Sequence, residues 1–401
     1  MQAKGLHNNF PVTQEEITRW TMDMVSIPSY PGIPAQERAV AEYIQRVFIE
    51  EGIPCHLQEL TDDRVNVIAT LKGSGGGRSL LFNGHTDTVP PYDMENACEP
   101  YIKDGRLHGR GAADMKGPLA TMMAAVIAVK RSGLSLGGDV IFTGVAGEEY
   151  GSIGAINLIE AGLSADGAIV AEPLSTPLIG IAQRGLEWYQ VDFIGRAVHG
   201  GSQSAGINAI EKASRFINAV DELLKPALRA TTHPIIGEST VNIAVIDGGT
   251  QPSTVPGHCV VQFDRRFLPG VEKYEGVTSQ LQGLLDSLAA EDPDFRAELS
   301  VMPVSIMEHG YVHQGFETDP EDPLVRCCVQ AGEIALGTPL ECVAVPCWTD
   351  GGLISHYGNI PTVVWGPGHL ELCHSSGEYI EPDDMMRCAR AYFEAIKLFC
   401  R

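Results

Sequence analysis

The sequence has few basic residues, no long apolar segment and no paired cysteine motif. It contains 28 Lys and Arg against 51 Asp and Glu, which gives a formal net charge of −23 for its 401 residues. Binding to nucleic acids or to anionic lipid headgroups depends on basic patches, so we expect neither partner. The acidity by itself also fits simple solubility.

The apolar segments are too short to place the chain in a membrane or to export it. The longest run, residues 119–129, has 11 residues, whereas about 20 are needed to span a bilayer, and we expect a buried helix there. Residues 1–10 lack the apolar stretch of a signal peptide. We therefore expect a cytoplasmic protein whose 10 cysteines are buried, reduced thiols.

The order of helix and strand patterns predicts the fold class. They alternate up to residue 180 and again after residue 295, which predicts an α/β domain with helices on both faces of its sheet. Between them, residues 181–295 have long strands and two helices and predict an inserted α+β domain. We therefore expect three segments: 1–180 and 296–401 in the first domain, and 181–295 in the second.

The segment GHTDTVP carries the first chemical signal. His85 and Asp87 occupy alternate positions, so in an extended strand both side chains point to the same face. This suits a metal-binding imidazole with its orienting carboxylate. A polar pair in a turn is the alternative interpretation of this spacing.

Further acids and a second imidazole stand at predicted strand ends or before helices. These residues are Asp114, Glu148, Glu149, Glu172 and His374. Two imidazoles and three carboxylates form a donor set that Zn²⁺ accepts, and a shared carboxylate can bridge two ions about 3.5–4 Å apart. Within the adjacent pair of glutamates, one can bind metal while its neighbour exchanges a proton with the metal-bound water, whose pKa falls to about 7.

With these motifs in place, the chain resembles the M20 family of metallopeptidases and amidohydrolases, which includes acetylornithine deacetylase, succinyl-diaminopimelate desuccinylase, aminoacylase and glutamate carboxypeptidase. The resemblance runs from residue 66 to 383 through GHTDTVP, GRGAADMKG, GEEYGSIGA, AEP, RAVHGGSQSAGINAI and HSSGEY, in the family's order. It implies a zinc-peptidase-like catalytic domain with a mixed sheet. It also implies that the inserted domain is a lid that makes the contact of a homodimer.

The resemblance further implies two divalent metal ions, with zinc expected and cobalt or manganese as alternatives. The implied ligands of one ion are His85, Asp114 and Glu172, and those of the other are the bridging Asp114, Glu149 and His374. Glu148 is the implied general acid and base, and Asp87 the residue that orients His85. The peptide bond after Asp114 is expected to be cis.

Four residues of the inserted domain are implied to contact the substrate. His199 is the expected oxyanion donor, although a surface loop histidine is the alternative interpretation of an isolated His. Arg266 and Asn242 are expected to hold a substrate carboxylate, with Arg184 as a further candidate. A guanidinium matches a carboxylate in bidentate fashion, whereas a surface ion pair is the alternative for Arg266.

The expected function is hydrolysis of the amide bond of an N-acyl amino acid or small peptide with a free carboxylate. Gln203 and Ser204 replace the proline and acid common after the lid histidine, which leaves the identity of the deacylase open. A glutamate at position 172 is similar to the deacylase and carboxypeptidase branch of the family, whereas aminopeptidase-type relatives tend to have aspartate there. The alternatives are a di- or tripeptidase that recognises a free amine, a single-metal enzyme and a non-catalytic binding relative.

Overall fold

The computed structural model describes residues 10–401, so residues 1–9, which lack a signal-peptide pattern, lie outside the described part. The helices of the described part are α1 (Gln14–Val25), α2 (Arg38–Glu50), α3 (Gly117–Ser132), α4 (Ile153–Glu160), α5 (Ala209–Ala219), α6 (Lys225–Arg229), α7 (Tyr274–Glu291), α8 (Pro323–Leu336), α9 (Gly351–His356) and α10 (Pro382–Phe399).

The strands of the same residues are β1 (Cys55–Glu59), β2 (Val65–Leu71), β3 (Leu80–His85), β4 (Tyr101–Lys103), β5 (Arg106–His108), β6 (Val140–Val145), β7 (Gly167–Val170), β8 (Leu178–Gln183), β9 (Gly185–Ile194), β10 (Thr232–His233), β11 (Gly237–Glu238), β12 (Thr240–Gly248), β13 (His258–Phe267), β14 (Ala297–Val301), β15 (Phe316–Glu317), β16 (Glu341–Val345), β17 (Thr362–Val364) and β18 (Tyr379–Ile380).

The described chain divides into two compact units. The first comprises residues 10–182, Glu317–Val345 and Thr349–Arg401, and the second comprises Gln183–Phe316 and Pro346–Trp348. The insert expected at 181–295 ends earlier than the second unit, because β14 pairs with β9 and extends the sheet of this unit past residue 295. The role of this unit as a lid and dimerisation domain stays a prediction.

The first unit contains a nine-stranded mixed sheet in the order β1-β2-β6-β3-β7-β17-β8-β15, with β16 paired to β8. The strands β6, β3, β7 and β17 are parallel, and β1, β2 and β8 join them in antiparallel fashion. On one face, Gly84 of β3 lies against Leu119 and Met122 of α3. On the other, Asn66 of β2 donates a hydrogen bond to the backbone oxygen of Gly154 in α4. These contacts confirm the predicted α/β class with helices on both faces.

The helical segment Ala112–Ser132 is the core helix of the first unit. By length and composition it could cross a bilayer, but its apolar window is 100% buried within the fold. The helix is apolar on all of its faces because it is packed on every side. The buried helix predicted at residues 119–129 is confirmed.

All ten cysteines lie within the described residues and are free thiols. The expectation that they are buried is wrong for Cys342, which is exposed. Its strand, β16, is short, and its first two residues are exposed to solvent. Cys259, Cys328, Cys388 and Cys400 are buried as expected.

The second unit is a four-stranded antiparallel sheet, β12-β13-β9-β14, covered on one face by α5 and α7. The alternating burial along β9 and β13 places their apolar residues toward the helices. The buried cluster includes Phe193, Phe216, Phe263, Leu281 and Leu285. The opposite sheet face carries polar side chains, and the substrate-contact residues expected on β12 and β13 lie on it.

Candidate metal centre and substrate-contact residues

His85, at the end of β3, is buried and points into a group of carboxylates. Its Nδ1 lies 3.0 Å from the backbone oxygen of Asp87 and 3.4 Å from the Oδ1 atom of the same residue. A neutral ring that donates from Nδ1 keeps the lone pair of Nε2 for another partner. That Nε2 lies 3.0 Å from Asp114 Oδ1 and 3.6 Å from Glu172 Oε1.

The carboxylate of Asp114 lies between two imidazoles. Its Oδ1 faces His85, and its Oδ2 lies 3.2 Å from Nε2 of His374. The same Nε2 lies 3.1 Å from Oε1 of Glu149. A carboxylate with each oxygen directed at a different imidazole has the geometry of a ligand that bridges two ions. The peptide bond after Asp114 is cis, as expected.

The oxygen and nitrogen donors of the first unit converge closely enough to bind cations. The donor atoms of His85, Asp114 and Glu149 lie within 4.8 Å of one another, and so do those of His85, Glu148 and Glu172. A set of imidazole and carboxylate donors fits zinc, cobalt or manganese. The structure thus brings together all the ligands expected from the sequence, although their roles stay predictions.

The carboxylates of this cluster repel one another. Burial, with Glu172 as the next cause, raises the pKa of Glu148 well above its ordinary value. Burial likewise raises the pKa of Glu172 to about 8, with the charges of Asp114 and Glu149 adding to the effect. Buried carboxylates at such short range cannot all be ionised unless a positive charge lies among them. The cluster therefore fits divalent cations by its charge as well as by its donor atoms.

Asp87 holds the turn that carries both glutamates of the motif GEEYGSIGA. Its Oδ1 accepts hydrogen bonds from the backbone N–H groups of Gly147 at 2.9 Å and Glu148 at 3.2 Å. Its Oδ2 accepts one from the N–H group of Glu149 at 3.1 Å. The sequence predicted only that this carboxylate orients His85, and the structure adds that it fixes the backbone of the turn.

Glu378 is a buried carboxylate that the sequence reasoning missed. Its Oε1 accepts hydrogen bonds from the N–H groups of Ala113 at 2.9 Å and Asp114 at 3.1 Å. Its Oε2 pairs with the buried guanidinium of Arg110. It therefore fixes the backbone from which the Asp114 carboxylate projects. The motif HSSGEY contains this residue, but the sequence drew attention only to its histidine.

Asp350, which precedes α9, was also missed. The residue is buried, and its carboxylate interacts with the hydroxyl of Ser152. Burial raises the pKa of Asp350 to about 7. In the sequence, an aspartate before two glycines resembles an ordinary turn residue, so no signal marked it.

In the second unit, the expected substrate-contact residues of β12 and β13 share one sheet face. Asn242 lies opposite Asp264 in the register, and Arg266 lies two residues further along β13. The Nε of Arg266 donates to both carboxylate oxygens of Asp264, at 2.9 and 3.0 Å. The indole of Trp188 donates to the same carboxylate at 3.0 Å. The carboxylate therefore fixes the plane of the Arg266 guanidinium.

Arg184 lies near Arg266 in the same unit. Its Nε and Nη2 donate to the backbone oxygens of Glu238 at 3.0 Å and Ile236 at 2.7 Å. Burial lowers the pKa of Arg184, and the positive charge of Arg266 adds to that effect. Two neighbouring guanidinium groups form a positive site that suits an anion.

The second unit also contains two histidines in different surroundings, His199 and His313. His199 is exposed, and its Nδ1 accepts a hydrogen bond from the N–H group of Gly201 at 3.1 Å. In the neutral ring the proton then lies on Nε2, which is free to donate. His313, missed by the sequence reasoning, is buried against Trp348, and burial and the charge of Arg266 lower its pKa to about 4.

Comparisons with known proteins identify the family of the chain. The sequence model of peptidase family M20/M25/M40 matches residues 81–398. An acetylornithine deacetylase of Myxococcus xanthus is 32% identical over 92% of this chain and 93% of its own length. An N-formyl-4-amino-5-aminomethyl-2-methylpyrimidine deformylase of Halalkalibacterium halodurans is 29% identical over 96% of this chain and 95% of its own.

Among solved structures, the aminopeptidase PepT from Bacillus cereus matches with a TM-score of 0.81 at 23% identity. The match covers 97% of this chain and 100% of that chain. At this identity the likeness concerns the fold.

Proposed function

The chain belongs to peptidase family M20/M25/M40 and is a hydrolytic enzyme, and from that premise we propose that it cleaves the amide bond of N-acyl amino acids or small peptides that carry a free carboxylate, using two divalent metal ions. The observation that carries the proposal is the Asp114 carboxylate, which lies between His85 and His374.

The proposed ligands divide into two sets that share one carboxylate. His85 and Glu172 would hold one ion, Glu149 and His374 the other, and Asp114 both. Ions bound there supply Lewis-acid activation of water and of the amide carbonyl. Asp87 and Glu378 keep the ligand-bearing backbone in place through the hydrogen bonds described above.

Glu148 is the proposed general base and acid. It follows Gly147 in the turn that Asp87 holds, and its carboxylate lies beside His85 and Glu172. From this position it takes the proton of the attacking water and passes it to the departing nitrogen. Proton transfer by a positioned carboxylate contributes about 10²–10⁴-fold to such reactions.

The second unit is proposed to bind the rest of the substrate. His199 would donate from Nε2 to the oxygen that becomes negative when water attacks, because its Nδ1 is already an acceptor. Arg266, with its guanidinium plane fixed by Asp264, would hold the substrate carboxylate together with Asn242 and Arg184.

The names of the relatives support a substrate with an acyl group, but they differ in the rest of the substrate. Acetylornithine deacetylase supports an N-acyl amino acid, whereas the deformylase is named for an N-formyl aminopyrimidine. The fold of PepT favours, as the second candidate, a peptidase that recognises a free amine. A requirement for the substrate carboxylate distinguishes our proposal from the deformylase, and independence of a free amine distinguishes it from the peptidase.

A substrate panel with matched pairs tests the proposal. The zinc-, cobalt- and manganese-loaded protein would be assayed with N-formyl, N-acetyl and N-succinyl amino acids, with the corresponding amino acid amides, and with di- and tripeptides. We expect kcat/KM for the free acid to exceed that for the matched amide by at least about tenfold. Hydrolysis of none of these compounds, or a requirement for a free amine, would contradict the proposal.

We further propose that zinc is the native metal and that the protein is a cytoplasmic homodimer whose contact lies in the second unit. The family resemblance supports zinc and the homodimer. Metal analysis of the purified protein tests the identity of the metal, and its mass in solution tests the homodimer. A monomer at micromolar concentration would contradict the dimer.

A further inference from the structure

His313 is a buried histidine whose ring nitrogen Nδ1 has no hydrogen-bond partner among residues 10–401. Only 9% of the surface of this residue is exposed. A buried polar nitrogen without a partner is unfavourable, because it has given up its hydrogen bonds to water. Such atoms are rare in folded proteins, and a group that binds a ligand is one explanation for them.

The strand register places His313 on the same sheet face as Arg266. Arg266 of β13 lies directly opposite Leu186 of β9, and Leu186 forms an antiparallel bridge with His313 on its other side. The N–H group of Leu186 donates to the backbone oxygen of His313 at 2.9 Å. Residues directly opposite each other in antiparallel pairs project from one face, so these three residues form a row.

The row brings two hydrogen-bonding side chains within reach of one small anion. Neighbouring strands lie about 4.8 Å apart, so the backbones of Arg266 and His313 are separated by about 10 Å, two strand spacings. Both side chains project from the same face. A carboxylate above Leu186 can therefore contact both of them.

The backbone around His313 packs closely against the segment that carries Arg184. A Cβ at Gly315 would lie 2.5 Å from the backbone oxygen of Gln183 and 2.6 Å from the backbone nitrogen of Gly185. There is thus no room for this segment to move toward Arg184, and the position of the imidazole is fixed relative to β9.

Trp348 holds the imidazole ring itself. The rings of His313 and Trp348 pack edge to face, with their centroids 4.7 Å apart. The indole Nε1 donates to the backbone oxygen of Gln314, the next residue in the chain, at 2.9 Å. Because the indole is bonded to the same short segment, the imidazole is positioned before any ligand binds.

The imidazole is neutral near pH 7, because burial and the charge of Arg266 lower the pKa of His313 to about 4. A neutral imidazole has one N–H donor and one acceptor, whereas a carboxylate has only acceptors. Nδ1 must therefore carry the proton when it contacts a carboxylate. Arg266 is bonded to Asp264 through Nε, and its two Nη groups are further donors for the same anion.

We infer that His313 is a specificity-determining residue that donates a hydrogen bond from Nδ1 to the substrate carboxylate held by Arg266. This inference rests on the proposed function, which places the carboxylate at Arg266. An amide in the same position has one acceptor oxygen and an NH₂ group that would face these donors. One donor would then stay unpaired, so the pair of side chains selects for the free acid.

Variants of His313 test the inference by the ratio of kcat/KM for the free acid and the α-amide of one N-acyl amino acid. This ratio does not depend on the fraction of folded protein. His313→Phe keeps a ring against Trp348 but has no donor, and it should lower the ratio about tenfold, as expected for one hydrogen bond to a charged group. His313→Asn places an amide N–H near the position of Nδ1 and should retain most of the ratio.

His258→Phe is the matched control. His258 lies on the same sheet face and pairs with Asp192 at 2.9 Å, but it is eight residues from Arg266 along β13, or about 27 Å. This variant should keep the wild-type ratio. An unchanged ratio in His313→Phe, or an equal loss in His258→Phe, would overturn the role of His313.

Direct binding separates this inference from the proposed function. Calorimetric titration of the zinc-loaded protein with 3-mercaptopropionate and 3-mercaptopropionamide needs no turnover, and the thiol of both compounds can bind zinc. We expect the wild type to bind the acid more tightly, and His313→Phe to lose about tenfold of that difference. An equal preference in wild type and His313→Phe, or no preference in the wild type, would overturn the inference. Failure to cleave any amide would instead overturn the proposed function.

Discussion

Asp87 and Glu378 show how single buried carboxylates organise the site by accepting hydrogen bonds from backbone N–H groups. Asp87 fixes the turn of Glu148 and Glu149, and Glu378 fixes the backbone of Asp114. The sequence marked the ligands because charged residues at strand ends are unusual. It could not reveal these backbone contacts, since they join residues about 60 and 264 positions apart.

Replacing Glu378 by glutamine is expected to destabilise the first unit by about 3–5 kcal/mol, because the buried Arg110 loses its charged partner. Thermal unfolding and metal content would be measured together, and both should fall. Glu381→Gln is the control, since Glu381 pairs with Arg106 at the surface, where such a pair contributes at most about 1 kcal/mol. Equal effects of the two substitutions would contradict the proposed positioning.

Glu148→Gln should lower kcat by about 10²–10⁴-fold while the metal content stays at the wild-type level. The reason is that the amide cannot carry the proton between water and the leaving nitrogen. Product formation and elemental analysis of the same preparation check both statements. A variant as active as the wild type would contradict the mechanism, and loss of metal would make Glu148 a ligand.

His313 predicts how the stability of the second unit depends on pH. Its folded-state pKa is lowered to about 4, whereas histidine in an unfolded chain titrates near pH 6.5. On acidification the unfolded chain therefore takes up the proton first. The contribution of neutral His313 to the free energy of unfolding is complete above about pH 6.5 and is lost as the pH falls to about 4. The loss amounts to at most about 3 kcal/mol.

Urea unfolding of wild type and His313→Phe between pH 7 and pH 4 measures this contribution. The phenyl ring keeps the packing against Trp348 but cannot take up a proton. We expect the free energy of unfolding to fall less steeply with acidification in the variant. Parallel curves for the two proteins would show that His313 does not titrate on unfolding.

At the scale of the elements, the hydrophobic pattern located the strands that carry the site. The sequence patterns at residues 66–71, 79–87, 139–146 and 168–171 predict strands, and the structure has β2, β3, β6 and β7 there, within two residues at each end. The short strands β10, β11, β15 and β18 have two residues each, too few for a periodic pattern. The end of the insert was misplaced because β14 pairs with a strand about 100 positions earlier in the chain, which local pattern does not reveal.

Because α4 is closely packed at Gly154, adding a single methyl group there should lower the stability of the protein. A Cβ at Gly154 would lie 2.4 Å from the backbone nitrogen of Ala146 and from Oδ1 of Asn66. Gly154→Ala should therefore shift α4, disturb the adjoining turn of Glu148 and lower stability by about 1–3 kcal/mol.

Gly283→Ala in α7 is the matched control for that substitution. A Cβ at Gly283 meets no atom within 4 Å, and alanine favours the helix by about 0.5–1 kcal/mol. Thermal unfolding of the two variants should thus shift in opposite directions. A Gly154→Ala protein with wild-type stability and kcat would contradict the packing argument.

For the whole molecule, the net charge of −23 argues against nucleic acids and anionic lipids as partners but says little about the site. Three of those acids, Asp114, Glu149 and Glu172, are proposed metal ligands, and two divalent ions would more than balance the charge of these three carboxylates. Chelation should abolish hydrolysis and lower the unfolding temperature, because the buried carboxylates then repel one another. Added zinc should restore both, and full activity in a protein shown to be metal-free would contradict the proposal.

The position of β17 in the large sheet also bears on how the protein is made. This strand pairs with β7 on one side and β8 on the other, yet it follows them by about 180 residues in the chain. The ribosome releases residues Gln183–Phe316, which form most of the second unit, before it completes the first unit, and domains fold as units during synthesis. We therefore expect the second unit to become protease-resistant first on stalled nascent chains. The proposed metal centre includes His374 and would form only after this late residue has left the ribosome.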